Sequence, residues 1–98
     1  MLVVVAIFEL HIEGAQSLKD QRHVVRGVKD RLRNLDLSAK EVALQDLHQR
    51  ARIAVSFIAL DHAAADGTLE KIQTLVESNA EVTGFTSEKL DFDENVAL

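Results

Sequence analysis

Two runs of β-branched and aromatic residues, LVVVAIFELHI at 2–12 and RIAVSFIAL at 52–60, constrain this chain more than any other feature. Neither approaches the ~18 apolar residues of a membrane-spanning helix, and both have the composition of strands. In the first, Leu10 and Ile12 alternate with Glu9, His11 and Glu13, the period of two that a half-exposed strand shows. Its earlier half is apolar on both phases, which suits a central strand covered at least partly on both faces.

Each run leads into a capped amphipathic helix. Ser17 is followed three residues later by Asp20, an acidic form of the capping box in which the hydroxyl accepts from an orphan N–H. Leu18, Val25, Val28, Leu32 and Leu35 then fall on one face of a helix over about 18–34. Gly27 lies inside it at a cost of up to ~1 kcal/mol against Ala, and close packing on a sheet would account for it. Asp61 caps a second helix over about 62–78, with Leu69, Ile72, Leu75 and Val76 toward the core and Gly67 weakening its first turns. A weaker strand over 37–44 and a polar connection over 45–50 separate the two halves. A last strand over 81–92 carries Gly84 at a site suited to a bulge, and 93–98 reads as a frayed tail.

Strand, helix, strand, strand, helix, strand in 98 residues is the split βαβ order. The expectation is a single α+β domain over 1–98, ferredoxin-like βαββαβ, with a four-stranded antiparallel sheet and two helices on one face. Right-handed crossovers give that arrangement. They also bring the loop at 13–17 to the same end of the sheet as the connection at 45–50. The chain has no cysteine, so neither disulfides nor a thiolate metal site are available to it. The apolar opening lacks a basic n-region and meets Glu9, His11 and Glu13 too soon for a signal peptide, so a soluble protein with no membrane partner is expected.

The net charge of −5 conceals an asymmetry. Residues 1–60 carry nine Lys and Arg against seven Asp and Glu, whereas residues 61–98 carry two against nine. That balance argues against a binder that is basic over its whole surface and leaves room for a local basic patch. Lys19, Arg22, Arg26, Lys29 and Arg33 supply one: they advance by three and four residues, so they share a stripe about 120° from the centre of the apolar face. The functional reading of the stripe is a footprint for phosphate backbone, RNA in particular, with Arg50 added from the shared loop end. The plain reading is a solvated helix face whose stems cover apolar edges.

Three further groupings need weighing. His11, Asp46 and His48 could form a network at the loop end, together with Glu13, Lys19, Arg22 and Arg50, either binding an anion or fixing the loop. Glu9, His11 and Glu13 share a strand face, but that spacing is what any half-exposed strand gives, and no metal site or other cofactor is expected. Val3, Val5 and Ile7 lie on the phase away from the core and would serve self-association, giving a homodimer. Phe8 shares its phase with Leu10 and Ile12, the core side, so base stacking on the sheet is not expected. On the last strand, Thr83, Phe85 and Ser87 read as one phase. With no glycine-rich phosphate loop, no G-x-S-x-G and no cysteine nucleophile, the expectation is a protein without enzymatic activity.

FELHIEGAQSLKDQRHVVRGVKDRL resembles the start of the YlxP-like bacterial family of unknown function, in which a strand ending L-H-I-x-G-A is followed by S-L-K and a basic helix. ALQDLHQRARIAV is similar to that family's second landmark, D-L-W-Q-R-A entering a strand. Ser17, Leu18, Lys19, Arg22, Asp46, Leu47, Gln49, Arg50 and Ala51 match. Glu13 stands where Pro is common, Gln21 where Lys is common, and His48 where Trp is usual. The resemblance implies a ferredoxin-like fold and a bacterial cytoplasmic setting near translation and ribosome maturation, with no established activity. The two functional expectations are therefore an accessory protein touching ribosomal RNA or the ribosome, and a self-association module using its open sheet face.

Overall fold

A computed structural model describes residues 1–43 and 49–92. Its elements are β1 (Leu2–His11), α1 (Leu18–Arg33), β2 (Ser38–Ala43), β3 (Arg50–Ala59), α2 (His62–Glu77) and β4 (Glu81–Asp91). The sheet order is β2-β3-β1-β4 and every neighbouring pair is antiparallel. This is the ferredoxin-like arrangement, with the two strongest strands paired at its centre. Strand bounds agree with the sequence pattern to within two residues.

Alternation decides the faces. Leu2, Val4, Ala6, Phe8, Leu10 and Ile12 are buried, as are their β3 partners Ala51, Ile53, Val55, Phe57 and Ala59. Val25, Val28 and Leu32 of α1 and Ala65, Leu69, Ile72 and Val76 of α2 complete this core from one side. Leu75 packs against it only partly, and Leu35 is exposed, because α1 ends at Arg33 and a turn follows. That turn takes Asp36 to φ 59°, the left-handed region that short polar side chains tolerate.

The caps form largely as the sequence indicates. Ser17 Oγ accepts from Asp20 N at 3.1 Å, and Asp61 Oδ1 accepts from Ala64 N at 2.8 Å. Asp20 reaches one residue further back than a capping box requires, accepting from Gln16 N at 3.0 Å. Gly27 is not a sheet-packing glycine: a Cβ there would meet Arg31 Nη1 at 3.2 Å. Gly14, at φ 81°, does need its freedom, turning the chain out of β1 toward α1.

β4 departs from the simple phase reading. A register shift opposite Glu9 and Leu10 sets Gly84 against Glu9 and Val82 against Leu10, leaving Thr83 as the extra residue. Thr83 therefore leaves the phase of Phe85 and Ser87, and Val82 takes its place on the helix side. Phe85 lies opposite Phe8, ring centroids 4.9 Å apart.

Candidate nucleic-acid interface

α1 lies over β2 and β3, and α2 reaches across to β1 and β4. The charge asymmetry of the chain thereby becomes an asymmetry of the molecule. The basic helix occupies the β2 side, and Asp61, Asp66, Glu70, Glu77, Glu81, Glu88 and Asp91 belong to the α2 and β4 side. On α1 the core takes Gln21, Val25, Val28 and Leu32, so the helical period sends Lys19, Arg22, Arg26, Lys29 and Arg33 to the flank that turns outward beside β2.

Within the stripe the five cations are not equivalent. Lys19, Arg22 and Arg26 are exposed and Lys29 is half-buried, and none of the four meets a carboxylate among the described residues. Arg33 is engaged: Nη2 donates to Ala39 O at 3.1 Å and Nη1 lies 3.8 Å from Asp30 Oδ1. It ties the end of α1 to β2, which leaves four cations within the eleven residues from Lys19 to Lys29, about 15 Å of helix from first to last at 1.5 Å per residue.

Beneath the stripe, Gln21 is fully buried, its Nε2 donating to Glu41 Oε2 at 2.7 Å and to Arg50 O at 3.3 Å. Its Oε1 has no partner among the described residues. The periodicity of α1 gave no warning of a buried amide here; its polar character hid it from any apolar pattern.

A family model described as a protein of unknown function (DUF503) matches residues 3–89. The chain belongs to this family. Among solved structures, this DUF503 chain is similar to the Arabidopsis thaliana protein At3g17210, at 13% identity and TM-score 0.49, over 98% of this chain and 99% of that one. A de novo designed protein with ferredoxin fold is similar at 16% identity and TM-score 0.48, over 100% and 93%. No curated protein matches.

The remaining residues singled out in the DUF503 sequence divide between the two sheet faces. Arg50 pairs in register with His11 on the face away from the helices, so the sheet separates it from the α1 stripe. His11 hydrogen-bonds through Nδ1 to Glu81 Oε2 of β4 at 3.0 Å. Asp46 and His48 lie outside the described residues. Ile12 N donates to Gln49 O at 2.8 Å, which sets the end of β1 beside the start of β3, the loop-end proximity that the topology implies. Glu9 is held by Arg52 Nε at 2.5 Å, and no group of three potential metal ligands gathers among the described residues. Among these residues no helix is long and apolar enough to cross a membrane. Val3, Val5 and Ile7 face away from the helices, opposite Ile58, Ser56 and Ala54.

Proposed function

We propose that this protein is an accessory factor that acts by binding, contacting the phosphate backbone of RNA through the α1 flank. One observation carries the reading: among the described residues, Lys19, Arg22, Arg26 and Lys29 form a line with no ion pair to occupy them. A solvated helix face usually interleaves both signs, and an uncompensated line favours an anionic partner with regularly spaced charges. The acidic side formed by α2 and β4 supports it further, because a dipolar molecule orients its basic flank toward a polyanion before contact.

The resemblance to the YlxP-like family supports ribosomal RNA and the bacterial cytoplasm as the setting. Phosphate contact is the mode that fits this chain, since His48 stands where the family has Trp and Phe8 is spent in the core. Acid–base chemistry on β1 is not favoured, because Glu9 and His11 are each engaged with a charged neighbour on the next strand.

Sedimentation with ribosomal subunits from the source lysate tests the reading. The protein is expected in the ribosomal pellet at low salt and in the supernatant at high salt. Its absence from the pellet at low salt, or retention indifferent to salt, would contradict the proposal.

A further inference from the structure

The sheet face opposite the helices is divided along its length. Toward one end β1, β3 and β4 present Val3, Val5, Ile58 and Leu90, with Phe92 just past the end of β4 and bonded through its N to Met1 O; Ile58 is 66% exposed, Leu90 52% and Phe92 50%. Toward the other end stand Glu9 beside Arg52 and His11 beside Arg50 and Glu81. Lys40 on β2 and Glu88 on β4 mark the two lateral edges in neighbouring rows, Lys40 level with Ala54 and Ile7, Glu88 level with Val5. Exposed apolar side chains this closely grouped are the mark of an interface.

We infer that this face is covered by a second copy of the chain, packed sheet on sheet about a two-fold axis that runs parallel to the strands between β1 and β3. Three features select that occupant. The footprint is large enough: β1 and β3 of ten residues, β4 of eleven and β2 of six together span about 600 Å² before side-chain relief is counted, the scale of the roughly 800 Å² per partner that stable interfaces bury. The apolar ends superpose, because rotation about an axis along the strands keeps each row at its own height. The charges alternate, because the same rotation exchanges β1 with β3 and β2 with β4. Glu9 of each copy then lies over Arg52 of the other, and Lys40 lies over the β4 edge that carries Glu88. A self-complementary patch is what a two-fold interface demands, and strands aligned within about 30° are the ordinary geometry of packed sheets. The α1 stripe lies on the far side of each sheet, so pairing leaves both stripes free and the two proposals fail independently.

Charge exchange at the lateral edges tests the arrangement without touching the core, since Lys40 and Glu88 are both exposed. Light scattering of the full chain at micromolar concentration is expected to give twice the 10.8 kDa of one copy. Lys40→Glu and Glu88→Lys, each alone, oppose like charges twice in the pair and should weaken it by about tenfold or more. Mixed one to one, the two variants restore both contacts and should form a heterodimer. Ile58→Glu should be monomeric with an unchanged circular dichroism spectrum. A monomeric wild type would overturn the inference and return the face to a partner of other chemistry. Dimers of Ile58→Glu, or charge variants that fail to recover on mixing, would overturn the face or the axis.

Discussion

Gln21 Nε2 donates to Glu41 Oε2 at 2.7 Å from a position with no exposure to solvent, fastening the inner side of α1 to the β2 edge. The same amide nitrogen reaches Arg50 O at 3.3 Å, so one side chain joins α1, β2 and β3 under the basic flank. Replacing it with Met keeps the length and removes both donors. Gln21→Met is expected to lose about 1–3 kcal/mol with its two hydrogen bonds, one of them to a carboxylate, read as a lower urea midpoint at unchanged slope. Gln21→Lys, which keeps a donor toward Glu41, should lose less. A Met variant as stable as wild type would show that these two bonds add nothing to stability.

Arg33 and Arg22 offer a contrast within one stripe. Arg33→Ala gives up the bond to Ala39 O and should cost about 0.5–1.5 kcal/mol. Arg22→Ala, with no partner among the described residues, should stay within about 0.5 kcal/mol of wild type. Thermal melts of the two variants side by side decide it; equal losses would mean that Arg33 holds nothing.

The glycines make opposite predictions. A Cβ at Gly67 meets nothing within 4 Å, so Gly67→Ala should stabilise α2 by about 0.5–1 kcal/mol. At Gly84 it would meet Glu9 Cγ at 3.1 Å and Cβ at 3.3 Å, and Glu9 is anchored by Arg52. Gly84→Ala should therefore destabilise by about 1–3 kcal/mol, the range for forced overpacking. Chemical denaturation of both variants checks the signs, and a stabilising Gly84→Ala would mean that the bulge shifts freely.

Ser17→Ala removes the acceptor for Asp20 N and should cost about 1 kcal/mol. Loss of amide-exchange protection should concentrate in the first turn of α1. Unchanged protection at Asp20 would show that the Asp20–Gln16 contact suffices to hold that end.

Element order, caps and the helix-side core were legible because each rests on local chemistry: β-branched runs, Ser17 and Asp61 before apolar periods, and alternation along β1 and β3. What escaped the sequence depends on distant partners. Thr83 changes phase because a register shift against Glu9 is settled between two strands more than seventy residues apart. Leu35 looks like the next apolar position of α1, yet the helix stops at Arg33 and leaves it exposed. Arg50 neighbours the α1 loop in topology but alternation turns it to the other face, and Gln21 reads as surface although it is buried. The stripe itself follows from helical period alone; that Arg33 is bound within it required the position of Ala39.

The central claim is that Lys19, Arg22, Arg26 and Lys29 meet RNA phosphates, and a salt titration of RNA binding tests it most directly. With four phosphates neutralised on a single strand, the logarithm of affinity should fall against the logarithm of salt with a slope of about −3, or roughly fiftyfold between 50 and 200 mM. Arg22→Glu combined with Arg26→Glu should abolish binding while leaving the melting temperature nearly unchanged. A slope near zero, or a double variant that binds as wild type does, would contradict the account.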